Sequence, residues 1–158
     1  MKTVEEAKEL ALTNFSSEYN CAESVVGAIA KAYGKDIDLA MKIATGFGGG
    51  VSRQGRDCGA VSGAVIGFGL LHGRTNSEEL RANTYRPVTM FYEQFRKRFG
   101  SVVCKDLCGC DISTKEGLAK FRDGHVHKNL CSNFVSGAVE IFMNIEKKYI
   151  ENTDHCTS

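Results

Sequence analysis

The 158-residue sequence predicts an all-α fold, a compact single-domain bundle of about six helices with one glycine-rich loop. Helix-capping signatures precede apolar residues spaced three and four apart, which is the periodicity of a helix face. No segment shows the apolar–polar alternation of a half-buried strand. The composition, 42% hydrophobic and 25% charged, is that of an ordinary globular protein with one core. We expect the domain to span residues 1–152 and residues 153–158 to form a flexible tail.

Two capping boxes predict the first two helices. In Thr3-x-x-Glu6 and Asn20-x-x-Glu23, a side-chain oxygen and a carboxylate three residues later satisfy free N–H groups at a helix start. Apolar residues at helical spacing follow each box. Gly34 is placed to end the second helix, because glycine readily adopts the left-handed conformation of a helix C-cap.

A third helix is predicted from Asp36 or Asp38 to about residue 44, followed by the glycine-rich loop 45–56. The loop leads into a fourth helix, in which Gly59, Gly63 and Gly67 recur every four residues. This spacing places the three glycines on one helix face. Because glycine is unfavourable inside a helix, the stripe predicts close helix–helix packing, or close backbone approach to a ligand beside the site.

The second half of the chain predicts further helices over residues 76–99, from about Ser113, and over about residues 129–149. Asn76-x-x-Glu79 resembles a capping box for the first of these. Pro87, the single proline, is expected to kink this helix or divide it, because proline lacks an N–H donor. The aromatic residues that follow it at helical spacing are assigned to the core.

The seven cysteines are the main functional signal. The N-terminus shows no apolar run of the secretory type, so a cytoplasmic protein is expected. Stable disulfides are rare in that reducing compartment, and an odd number of cysteines cannot pair completely. Metal ligation or redox chemistry is therefore favoured.

Two cysteines occupy matched positions at helix starts, in Asn20-Cys21 and Asp57-Cys58. The positive end of a helix dipole and its free N–H groups favour a thiolate. Cys21 and Cys58 are thus candidate nucleophiles for thiol–disulfide exchange as well as candidate metal ligands. Arg53 and Arg56, in the preceding loop, would add positive charge near the site.

Other functions find little support in the sequence. A net charge of +1 with interspersed signs does not indicate nucleic-acid binding. The longest apolar stretch, residues 58–71, is shorter than the roughly 20 residues that cross a bilayer, so no membrane insertion is expected. The glycine face and the aromatic stripe permit a homodimer.

The order of the motifs resembles the C_GCAxxG_C_C family of redox proteins over about residues 5–145. The resemblance rests on five elements: Asn20-Cys21, Gly-Phe-Gly-Gly-Gly at 46–50, Cys-Gly-Ala-x-x-Gly at 58–63, Phe-Gly-x-x-x-Cys-x-x-Leu at 99–107, and Cys131. The chain is also similar to the non-haem part of split-Soret cytochromes, which carry an iron–sulfur centre, but it lacks their haem-attachment motif.

The resemblance implies four invariant cysteines, which correspond to Cys21, Cys58, Cys104 and Cys131. Cys108 and Cys110 are departures from the family pattern and secondary candidates, and Cys156 is expected to stand apart. An iron–sulfur cluster held by four thiolates, serving electron transfer with a partner protein, is the leading interpretation. Zinc on the same sulfurs, metal-free thiol exchange, and a non-redox interaction module remain alternatives. Whether the protein is an enzyme or a carrier stays open.

Overall fold

The computed structural model describes residues 2–154, with side chains described to residue 149. Within that range the chain forms eight α-helices and no β-strand: α1 (Val4–Ser16), α2 (Cys21–Ala32), α3 (Ile37–Ala44), α4 (Gly59–His72), α5 (Ala82–Phe99), α6 (Cys104–Cys108), α7 (Lys115–Asp123) and α8 (Ser132–Asp154). A 3-10 turn at Thr45–Phe47 follows α3, and a π-helical turn at His127–Cys131 precedes α8. The all-α prediction is confirmed, although the count of about six helices was too low.

The predicted caps form as expected at the first three helices. Thr3 and Asn20 each accept the N–H of the glutamate three residues on, and that glutamate accepts the backbone N–H of its cap. Asp36, one of the two predicted starts, caps α3 by accepting the N–H of Leu39. Local hydrogen-bonding chemistry therefore fixes where these helices begin.

The predicted start at Asn76 is wrong. The Asn76 side chain accepts the N–H groups of Glu78 and Glu79, but the Glu79 carboxylate binds the Asn76 side-chain amide instead of its backbone N–H. The reciprocal bond of a capping box is missing, and α5 begins only at Ala82. Pro87 then lies inside α5 and does not divide it.

Two later helix starts also differ from the sequence prediction. The cap of α7 is Thr114, whose hydroxyl accepts the N–H of Gly117, whereas Ser113 binds Asp111. The final helix was expected to begin near residue 129. A π-helical turn occupies that position, and α8 proper starts at Ser132.

Helix α2 lies at the centre of the bundle, with α1, α3, α4 and α8 packed around it. Its contact with α4 depends on the glycine stripe. A Cβ atom on Gly63 would lie 2.6 Å from the carbonyl oxygen of Ala22, and one on Gly67 would lie 2.9 Å from Ile29. The stripe therefore serves close helix–helix packing, the first of the two interpretations offered by the sequence.

A buried polar pair lies at the C-terminal end of α4, where His72 is the last residue. The carboxylate of Glu146, 1% exposed, binds Nε2 of His72 through both oxygens at 2.9 Å. Burial raises the pKa of Glu146, and the hydrogen bond from His72 opposes that shift. Among the helices described, none is long and apolar enough to traverse a bilayer.

Candidate cysteine site

Cys58 and Cys104 are held side by side by a short pairing of two loops. Asp57 and Val103 form an isolated antiparallel β-bridge. The N–H of Cys58 donates to the carbonyl of Val102 at 2.8 Å, and the N–H of Cys104 donates to the carbonyl of Arg56 at 2.7 Å. Two cysteines distant in sequence thus begin α4 and α6 next to each other.

Cys21 joins them through the packing of α2 on α4. It is the first residue of α2, directly after the Asn20 cap. A Cβ atom on Gly59, the first residue of α4, would lie 3.1 Å from the Cβ atom of Cys21. The missing side chain at Gly59 therefore permits the starts of the two helices, and their cysteines, to approach each other.

Cys108 connects the remaining thiols. Its sulfur lies 3.9 Å from that of Cys104, one turn earlier in α6, and 4.0 Å from that of Cys131 at the end of the π-helical turn. Cys21 lies close enough to Cys131 to raise the pKa of that thiol. All six cysteines described are free thiols.

A single cavity of about 620 Å³ is lined by five cysteines: Cys21, Cys58, Cys104, Cys108 and Cys131. Four of them are buried, and Cys21 is half-buried. The structure thus brings together the four cysteines indicated by the resemblance and adds Cys108. Cys110 lies beyond Gly109 and is not among the lining residues described, and Cys156 falls outside the described residues.

The buried thiols are held in the neutral form. Burial raises the pKa of Cys58 to about 12, although the N–H groups of Ala60 and Val61 act in the opposite direction. The hydrogen bond with Cys108 and burial raise the pKa of Cys104 strongly. The hydrogen bond with Cys104 lowers the pKa of Cys108, but the bond with Cys131 and burial leave it raised. The bond with Cys108 lowers the pKa of Cys131, but the nearby thiol of Cys21 and burial leave that pKa raised as well.

This result corrects the expectation of a thiolate at Cys58. A helix N-terminus contributes about 0.3–1 kcal/mol to a nearby anion, whereas an uncompensated buried charge costs several kcal/mol. At Cys58 the larger effect prevails, because the side chain is 4% exposed.

The glycine-rich loop adopts an unusual left-handed turn against this cavity. Five consecutive residues have φ between +50° and +68°: Gly49, Gly50, Val51, Ser52 and Arg53. A Cβ atom on Gly50 would lie 2.7 Å from the Cβ atom of Cys104, so only glycine fits there. The turn places Arg53 on the cavity wall, whereas Arg56 is not a lining residue.

A tyrosine–carboxylate hydrogen bond supports the pairing of Cys58 with Cys104. The hydroxyl of Tyr92 in α5 donates to Oδ2 of Asp57 at 2.5 Å. Burial and this bond raise the pKa of Tyr92, which keeps the hydroxyl protonated as the donor. No sequence pattern indicated this contact, because Tyr92 belongs to the aromatic stripe after Pro87 that was assigned to the core.

Aromatic rings and cationic side chains also line the cavity. His127 stacks on Phe15 with ring centroids 3.9 Å apart and meets Phe121 edge-on. Desolvation lowers the pKa of His127. Arg122 of α7 lines the same region. Within residues 2–154, no three or more His, Cys, Asp or Glu side chains form a group arranged to hold a metal ion.

Comparison with known proteins places these residues in a family context. Residues 19–145 match the family described as "Putative redox-active protein (C_GCAxxG_C_C)". The chain is 30% identical over 151 residues to an uncharacterized protein of Archaeoglobus fulgidus, covering 89% of this chain and 93% of that protein. No solved structure matches the chain.

Proposed function

This chain belongs to the C_GCAxxG_C_C family, and from that premise we propose that its cysteine cavity binds an iron–sulfur cluster for electron transfer. The observation that carries the proposal is the meeting of five thiols from distant segments around one cavity. Cysteine thiolates are the usual ligands of [2Fe–2S] and [4Fe–4S] centres.

The donor set fits such a cluster. Only one acidic side chain, the exposed Glu18, lines the described cavity, so the ligands offered to a metal at its buried end are sulfur. Soft thiolate ligands select iron–sulfur centres, zinc and copper(I) over the cations that prefer oxygen. In the structure Cys108 shares sulfur hydrogen bonds with Cys104 and Cys131, and the thiols are not arranged as a metal-binding group among the described residues, so binding requires deprotonation and side-chain rearrangement.

Cys21, Cys58, Cys104 and Cys131 are the proposed ligands, with Cys108 available as a fifth. A bound cluster would supply one-electron transfer. Cys58 is the N-cap of α4, and the N–H groups of Ala60 and Val61 act on its sulfur, where they would offset negative charge. Gly59 and Gly63 keep the starts of α2 and α4 in contact. Arg53 adds a positive charge on the cavity wall, and Arg56 contributes through its carbonyl bond to Cys104.

Metal-free thiol–disulfide exchange agrees less well with these observations. An attacking thiol works best with a pKa near the ambient pH, and burial moves Cys58 away from that value. Cys104 and Cys108 are in contact but lie four residues apart in one helix. Helical Cβ atoms at that spacing are about 5–6 Å apart, whereas a disulfide needs about 3.5–4.5 Å.

The proposal is tested by anaerobic purification, reconstitution with iron and sulfide, and absorption spectroscopy with metal analysis. We expect broad charge-transfer absorption with stoichiometric iron and acid-labile sulfide. Cys58→Ser and Cys104→Ser should lose most of the iron. Cys110→Ser, which changes a thiol beyond the cavity, should retain it.

Two outcomes would contradict the proposal. A colourless protein containing stoichiometric zinc would assign the same sulfurs to zinc, which has no colour of its own. A protein that stays metal-free after reconstitution would favour thiol exchange. In that case alkylation should identify Cys21, the half-buried member of the site, as the reactive thiol.

A further inference from the structure

The cysteines occupy only the buried end of the cavity. The four buried thiols are 4–7% exposed, whereas Arg53 and Arg122 line the same cavity from exposed positions. A second cavity of about 470 Å³ shares Glu18, Phe121, Arg122 and His127 with the first. The exposed charged residues that line the first cavity, Glu18, Arg53 and Arg122, define its mouth. A volume of about 620 Å³ is within the range of small-molecule pockets, roughly 300–1,000 Å³.

The two arginines at this mouth are free to bind a ligand. Within residues 2–154, neither guanidinium has an ion pair or a side-chain hydrogen bond. His127 beside them has a pKa lowered by desolvation, so the arginines carry the positive charge of this region at neutral pH. Arginine presents a planar fork of donors that matches carboxylate and phosphate oxygens.

Two irregular backbone segments build this region from different parts of the chain. The left-handed turn at 49–53 carries Arg53, and its non-glycine members Val51, Ser52 and Arg53 have φ of +64°, +50° and +65°. Non-glycine residues in this conformation are unfavourable and cluster at active sites and ligand clamps. The π-helical turn His127–Cys131 follows α7 and places His127 and Cys131 in the same cavity. Single π-turns likewise occur frequently at functional sites.

The same cavity also has apolar wall residues. Phe15, Phe121 and Leu118 line it, and the His127 ring stacks on Phe15. The cavity therefore offers apolar and aromatic surface together with the cationic forks of two arginines. We propose that it binds a small organic anion, with its oxyanion group on Arg53 and Arg122 and its apolar body against Phe15 and Phe121, directly above the cysteine site.

This proposal rests on the proposed function only for the role of the ligand, which would be a substrate or effector of the redox centre. The binding itself needs no cluster. It can be measured on the full chain both as purified anaerobically and after iron removal, so its failure and a failure to bind iron are separate results.

The test is anaerobic calorimetric titration with phenyl phosphate and with benzoate at fixed ionic strength, with benzyl alcohol as the uncharged analogue. We expect saturable binding of at least one anion and none of the alcohol. Arg53→Gln and Arg122→Gln should each weaken binding about tenfold or more, because each removes a charge-assisted hydrogen bond. Glu18→Gln should strengthen binding, because it removes the negative charge at the mouth.

Arg56→Gln is the matched control, since it makes the same charge change in the same loop outside the cavity. It should leave the affinity within about twofold, the size of a screened long-range effect. If Arg53→Gln and Arg56→Gln weaken anion binding equally, the effect is one of overall charge, and the proposed binding site is overturned. Absence of saturable binding by both anions would also overturn it, and thermal unfolding of each variant identifies any that fail to fold.

Discussion

The packing of α4 on α2 can be tested with two glycines of one helix. Gly63→Ala would place a Cβ atom 2.6 Å from the carbonyl oxygen of Ala22 and 3.0 Å from the Cβ atom of Val25. Gly69→Ala, on the exposed side of α4, would meet no atom within 4 Å. Both changes add the same methyl group to the same helix, so the comparison isolates the contact.

The expected magnitudes follow from two opposing effects. Alanine stabilises a helix by about 1 kcal/mol relative to glycine, so Gly69→Ala should raise the free energy of unfolding by up to that amount. Overpacking costs about 1–3 kcal/mol, and a rigid backbone oxygen leaves little room for relief at Gly63. Because the helix preference is common to both variants, their difference should be about 1–3 kcal/mol.

Denaturant unfolding of the metal-free protein measures this difference. For a chain of this size, each 1 kcal/mol corresponds to about 2–4 °C in Tm. Gly63→Ala should also lower iron retention, because moving α2 away from α4 separates Cys21 from Cys58. If Gly63→Ala proves as stable as Gly69→Ala, the close approach of these helices is wrong. If it is destabilised yet retains full iron, the packing does not position the cysteines.

Three further predictions concern the site. The pKa of Cys58 rises from about 9 to about 12 on folding. The stability that this thiol confers is therefore complete below pH 9 and is lost as the pH rises toward 12. Cys58→Ala should flatten the alkaline decline of Tm in metal-free protein, and an unchanged decline would contradict the shift. In native metal-free protein at pH 8, Cys110 should react with an aromatic disulfide well before Cys58, as mass mapping of the labelled thiols would show; equal rates would argue against burial. Tyr92→Phe removes the donor to the Asp57 carboxylate and should lower the free energy of unfolding, measured with denaturant, by about 1.5–3 kcal/mol. Tyr85→Phe, an exposed change in the same helix, should lower it little. Equal effects of the two variants would refute the role of the Tyr92–Asp57 hydrogen bond.

The helices with reciprocal caps could be predicted from sequence because their signals are local. Thr3 and Asn20 are hydrogen-bonded to residues three positions away, so tertiary structure has little influence on where those helices begin. Asn76 carries the same spacing, but its glutamate partner takes the side-chain amide, and spacing alone cannot distinguish the two bonds. The same limit explains why Thr114, not Ser113, caps α7.

The sequence allowed the cysteines of the site to be predicted, but not their arrangement in space. Helical spacing allowed Cys104 and Cys108 to share a face, but the approach of Cys108 to Cys131 depends on how α6 meets the π-helical turn. The left-handed turn could not be predicted from sequence, because three of its five residues are not glycine and Val51 is β-branched. Tertiary contact, such as that of Gly50 with Cys104, determines such conformations.

Burial of Cys58 and Cys104 reconciles their helix-start positions with the raised pKa of both thiols. A buried thiolate is costly alone, and the helix dipole is too weak to offset that cost. A cation that arrives with deprotonation removes the penalty, because a coordinating thiol loses its proton outright. Metal binding here must therefore release protons, so affinity should rise with pH over the range in which the protein stays folded. The same burial that makes Cys58 a poor nucleophile would keep the four buried thiols unreactive in the metal-free form of the proposed site.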